Sequence, residues 1–152
     1  MNSVSQKKDR TRIHGHFMDD YKAKLITAEQ AASLVESGDR IFLGGGVNIP
    51  GGFANALGAR AGELKDVTLY QGFAMGLYEH MKPETKNSFN IETMFVGPLE
   101  RICMGWGVGS YLPHSFSDLG NVALKAAPNK VVFCTTAPDK DGYVNKSCFG
   151  TF

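Results

Sequence analysis

Arg40-Ile41-Phe42-Leu43-Gly44-Gly45-Gly46-Val47-Asn48-Ile49-Pro50-Gly51-Gly52 decides the reading of the fold. Arg40 to Leu43 is a short apolar run of strand type, and it breaks directly into glycine. A second helix is expected from about Phe53, carrying Ala54, Leu57, Ala61 and Leu64. Upstream, Thr27 is a good N-cap with Gln30 in capping-box spacing, and Ser37-Gly38-Asp39 stops the helix. Downstream, Asp66-Val67-Thr68-Leu69-Tyr70 is rich in strand formers and ends at Gln71-Gly72. Helix, strand, glycine loop, helix, strand is the order of an α/β domain: an open, mainly parallel sheet with flanking helices.

Further along, Lys82-Pro83-Glu84 reads as a turn into a short helix. Ile91 to Val96 reads as a strand halted by Gly97-Pro98. Ser117 is expected to cap a short helix toward Asn121. Lys130 to Thr136 is the clearest strand, and Ala137 to Gly142 is a strong turn signal. Residues 1–24 are polar, without sustained period, and read as an arm. Residues 25–152 form the domain. No closing helix follows Tyr143 to Cys148, so the first domain is expected to be incomplete. The remainder would be further sequence or a partner polypeptide; the alternative is a compact domain with a terminal strand.

The 152 residues carry 43% hydrophobic and 20% charged side chains, enough for one core. Net charge is +1, which lacks the basic excess of a nucleic-acid binder. No apolar run reaches the ~18–20 residues of a membrane helix, and the amino terminus does not read as a signal peptide. A soluble, cytoplasmic protein is expected. Cys103, Cys134 and Cys148 form no CxxC pair, and reduced, packed thiols are expected. His14 and His16 lack the further ligands of a metal site, so no metal is expected.

Gly44 to Gly52 is the strongest candidate for chemistry. Glycines after a parallel strand let a ligand approach the backbone, at the end of the sheet where open α/β folds bind ligands. The loop is neither a dinucleotide fingerprint, since position 49 is Ile, nor a P-loop; a plain strand-to-helix turn is the alternative. Gly105-Trp106-Gly107-Val108-Gly109 is a second glycine cluster, with Trp106 as core plug or pocket wall. His114 has a possible base or binding role, with a structural histidine as the alternative. A Cys103–His114 nucleophile needs contact in space that spacing cannot show. Glu100, beside Arg101, reads as a salt-bridged surface carboxylate.

Taken in order, five stretches carry a resemblance: Ala23 to Ala32, Ser37 to Ile41 with the glycine loop through Pro50, Asp66 to Leu69, Tyr111 to Ser115, and Ala137 to Tyr143. Together they resemble the amino-terminal part of the family I coenzyme A transferases. The similarity is to the branch of acetyl-CoA hydrolases and butyryl-CoA:acetate and 4-hydroxybutyrate CoA-transferases. The resemblance implies the partial first domain of a two-domain enzyme that moves coenzyme A from an acyl-CoA to a short-chain carboxylate. It implies a coenzyme A thioester as substrate and no bound cofactor. It places Gly44, Gly45, Gly46, Asn48 and Pro50 on a substrate and oxyanion loop, and Gly107, Tyr111 and His114 at an acyl pocket. The family's glutamate nucleophile lies in the second domain, so no catalytic residue is assigned within this chain. The isolated chain is expected to be inactive and to associate, with the rest of the transferase, a second subunit or further copies of itself. An acyl-CoA hydrolase and a non-catalytic binding module are the alternatives. Two departures stand out: Asp141 replaces the family's usual histidine, and Val144 to Phe149 fits the following segment poorly.

Overall fold

A computed structural model describes residues 17–139 and 141–146. His14, His16, Lys140, Cys148 and the end of the Val144 to Phe149 stretch lie outside the described residues. Helix α1 (Phe17–Lys24) occupies the end of the polar arm and buries none of its residues. It is helical where hydrophobic period gave no signal. Asp19 and Asp20 in its first turn and Lys22 and Lys24 in its last suit the helix dipole. Helix α2 (Ala28–Ser33) starts at the Thr27 capping box, with Gln30 N donating to Thr27 Oγ1 and Thr27 N donating to Gln30 Oε1.

Strand β1 (Arg40–Gly46) leads into α3 (Gly51–Gly58), and then come β2 (Val67–Ala74) and β3 (Phe89–Phe95). Helix α4 (Pro98–Gly105), strand β4 (Gly109–Tyr111), helix α5 (Leu119–Ala126) and strand β5 (Lys130–Val131) complete the order. The five strands form one sheet in the order β4-β3-β2-β1-β5, and every pairing is parallel.

Alternation along the strands sorts side chains between two faces. Ile41 and Leu43 of β1, with Val67 and Leu69 of β2, pack against Phe53 and Leu57 of α3, Ala32 of α2 and Val35 just beyond it. Phe42, Tyr70 and Met94 lie with Leu119, Val122 and Ala126 of α5. Both faces of the sheet therefore carry helices, as parallel sheets require.

Two sequence expectations change. Only Lys130–Val131 of the expected Lys130–Thr136 strand joins the sheet. Beyond Val132, whose N–H donates to Phe42 O, the chain turns back on itself, and Thr135 pairs antiparallel with Lys146. The turn between them is closed by Asp139, whose Oδ1 accepts from Asp141 and Tyr143 N–H. Ser117 does not cap a helix. Phe116–Asp118 is a 3-10 turn begun at Ser115, and Asp118 is the N-cap position of α5.

Candidate functional site

The carboxyl ends of β1, β2 and β3 meet around an apolar hollow. Phe42, Gly44, Gly45, Gly72, Met94, Phe95, Phe116 and Leu119 line it. Met94, Phe95 and Phe116 also line a neighbouring groove of about 400 Å³, together with Val96, Tyr111 and His114. The shared residues make the two spaces contiguous.

Glycine shapes this end of the sheet. Gly44 (φ +67°) and Gly46 (φ +58°) adopt left-handed backbone, which favours glycine. The β1–β2 register slips between Phe42 and Gly45 and again before Gly46, so β1 bulges where it reaches the hollow. Gly72 lies against β3: a Cβ there would stand 3.0 Å from Phe95 N and 3.1 Å from Phe95 Cβ.

The loop residues separate in position. Gly44 and Gly45 face the hollow. Asn48 is buried, with its N–H donating to Gly45 O and its carbonyl accepting from Cys134 N–H. Pro50 is the N-cap position of α3 and makes no side-chain cap. Tyr111 and His114 share the groove. His114 Nδ1 lies 2.7 Å from Leu112 O. A carbonyl only accepts, so Nδ1 carries a proton. Gly107 (φ +72°) is not among the lining residues; it sits before β4, at the amino end of that strand.

Other candidates also resolve. Trp106 ends α4 and is half exposed, so it plugs no core. Cys103 is buried, its Sγ donates to Met81 O at 3.5 Å, and burial, with the Glu100 charge, pushes its thiol up to about 11. It packs with Met81, Ile91 and Val108, whereas His114 lines the groove, so no Cys–His nucleophile is assembled. Glu100 is not a surface ion pair. It is 2% exposed, with Oε1 accepting from Ala74 N–H at 2.5 Å and Oε2 from Gly97 N–H at 2.9 Å. The sequence cue was present: Gly97-Pro98-Leu99-Glu100 is an N-cap followed by an acid at the third helical position.

Residues 1–150 match the family profile described as the acetyl-CoA hydrolase/transferase N-terminal domain. The chain belongs to the acetyl-CoA hydrolase/transferase family. A probable butyrate:acetyl-CoA coenzyme A-transferase of Syntrophomonas wolfei is 33% identical over 139 residues, covering 88% of this chain and 30% of that protein. The 4-hydroxybutyrate coenzyme A transferase of Clostridium kluyveri is 30% identical over 125 residues, covering 81% of this chain and 29% of that protein. The crystal structure of RipA from Yersinia pestis superposes with a TM-score of 0.79 at 24% identity, covering 86% of this chain and 33% of that one, and so supports the α/β fold. The chain thus spans under a third of the length of these two transferases. Among the described residues, no helix is long and apolar enough to cross a membrane.

Proposed function

We propose that this family member is the amino-terminal segment of a cytoplasmic acyl-CoA:carboxylate CoA-transferase, and that its groove receives the acyl group of the thioester. The observation that carries this is the convergence of Gly44 and Gly45 with Met94, Phe95 and Phe116 at the carboxyl end of a parallel sheet. Apolar walls suit a short acyl chain, and a glycine-lined floor admits the thioester close to the backbone. Tyr111 and His114 add a hydroxyl and an imidazole at the polar side of the groove.

The nucleophile is a glutamate outside these 152 residues. Its carboxylate attacks the acyl carbon and expels coenzyme A thiolate, leaving an acyl-glutamyl anhydride. The thiolate then attacks the glutamyl carbonyl and releases the first carboxylate. The acceptor carboxylate finally attacks the glutamyl-CoA thioester, and reversal of the first exchange yields the new acyl-CoA. Glu100 does not fill that role. It is buried, and both its oxygens already accept from backbone N–H groups, of Ala74 and Gly97. The partner is the remaining part of the transferase or a second subunit. In the family's hydrolases, water takes the place of the acceptor carboxylate.

The test supplies butyryl-CoA and acetate to the purified chain, traps any glutamyl thioester with borohydride, and reads intact mass. No turnover and no adduct is expected. An adduct on a residue within the chain would overturn the assignment of the nucleophile.

A further inference from the structure

Glu100 joins two strand ends that border the groove. Its Oε2 accepts from Gly97 N–H, the N-cap of its own helix α4, and capping explains that bond. Capping does not explain the other. Oε1 reaches out of the helix to Ala74 N–H, at the carboxyl end of β2. The residue before it, Phe73, has φ +51°, a left-handed backbone that non-glycine residues adopt only when their surroundings enforce it.

What Phe73 does in that conformation is visible. Its ring meets Phe95 edge to face, with centroids 5.4 Å apart and planes at 87°. On its other side it abuts Gly97, where a Cβ would stand 3.1 Å from Phe73 Cδ2 and 2.7 Å from Glu100 Oε2. Phe95 lines both the hollow and the groove. A chain of contacts therefore runs from the buried carboxylate through Ala74 and Phe73 to the groove wall.

We propose that Glu100 is a positioning residue for acyl selectivity: its carboxylate fixes Phe73 against Phe95, and that pair sets the length of acyl group the groove accepts. This rests on the reading of the groove as the acyl site. The carboxylate makes no contact with substrate and takes no part in the transfer. Neither glutamine nor aspartate replaces it, because glutamine offers one acceptor oxygen where two are used and aspartate lacks the reach to span both donors.

The test titrates butyryl-CoA and hexanoyl-CoA into the 152-residue chain by calorimetry, alongside Glu100→Gln, Glu100→Asp and Phe73→Leu. The readout is the ratio of the two dissociation constants, which a purely structural role does not move. Each variant is expected to change that ratio by about fivefold or more, the scale of a pocket sensing extra methylenes. Phe73→Leu combined with Glu100→Gln is expected to add nothing further, because both act through one rim. A folded Glu100 variant with the unsubstituted ratio overturns the inference and leaves the acyl groove standing. Failure of both Glu100 variants to fold assigns Glu100 to stability alone and also overturns it. If the unsubstituted chain binds neither thioester, the groove reading itself falls, and this inference with it.

Discussion

His80 Nε2 lies 2.7 Å from Gln71 Oε1, and both side chains are wholly buried. His80 Nδ1 lies 3.3 Å from Ala54 O, which can only accept. Burial holds the His80 pKa down at about 4, so the ring is neutral and owns one proton. That proton belongs on Nδ1, and Nε2 must then accept from the Gln71 amide. Turning the amide so that its NH2 faces the ring satisfies this, and gives Gln71 Nε2 the partner it otherwise lacks among the described residues. The pair ties β2 to the 3-10 turn Glu79–Met81 and to α3.

This pair makes stability fall in mild acid. The unfolded chain protonates His80 near 6.5, while the native chain resists until about 4. The native state is therefore favoured fully above pH 6.5 and loses that advantage as pH drops toward 4. A pKa gap of that size corresponds to roughly 3 kcal/mol. Urea unfolding across that window is expected to show the slope, and His80→Gln to flatten it. An unchanged slope in His80→Gln would show that other groups set the acid response.

At Gly58, α3 packs tightly against the segment after β2. A Cβ there would stand 2.4 Å from His80 N and 2.5 Å from Glu79 C. Those are backbone atoms, which do not swing aside. Gly58→Ala is expected to destabilise by about 3 kcal/mol, the upper end of overpacking costs. A thermal melt within a degree of the unsubstituted chain would contradict this contact.

Strand β5 is short, and a polar clasp holds it. Asn129 Nδ2 donates to Asp39 Oδ1, Lys130 Nζ to Asp39 Oδ2 at 2.6 Å, and Arg40 N–H to Asn129 Oδ1. Burial acts to raise the Asp39 pKa, but the Glu36 N–H, Lys130 and Asn129 together hold it below its usual value. The stabilisation is present above the unfolded value near 3.9 and is lost as pH falls through the lower native one. Asn129→Ala is expected to cost about 1–3 kcal/mol, because it leaves the buried Asp39 Oδ1 and the Arg40 N–H without the side chain that joins them. Hydrogen exchange is the direct check: the Val132 amide, bonded to Phe42 O, should lose protection first. Equal protection in both proteins would argue against the clasp.

Phe116 lines both the hollow and the groove. Phe116→Asp introduces a carboxylate against an apolar acyl chain, while its backbone sits in an exposed 3-10 turn that tolerates polar residues. Butyryl-CoA affinity is expected to drop about tenfold, ~1.4 kcal/mol, with the melting temperature little changed. Unaltered affinity would remove Phe116 from the site.

Much of the fold was legible because it rests on local signals. The Thr27–Gln30 box and the glycine break after Leu43 each act within a few residues, whereas α2 ends at Ser33 with Leu34 as its C-cap, ahead of the expected stop at Gly38. Strand β5 was over-read because Lys130 to Thr136 has strand propensity throughout, but the sheet uses only its first part before Asp139 turns the chain. Helix α1 carries no buried face, so periodicity had nothing to show. Within the site, Gly44 and Gly45 were reachable from sequence, since glycine after a parallel strand implies close approach. Phe95, Met94 and Phe116 were not, because their meeting depends on the order of strands. Glu100 was misread for the same reason: its second partner, Ala74, is 26 residues away.

The most direct test of the acyl groove is to titrate butyryl-CoA into isotope-labelled chain and map the amide shifts. The shifts are expected to concentrate at Gly44, Gly45, Phe95, Tyr111, His114 and Phe116, at the carboxyl end of the sheet. Shifts confined to the opposite end, around Gly107 and Asn129, or no shifts at all, would contradict it.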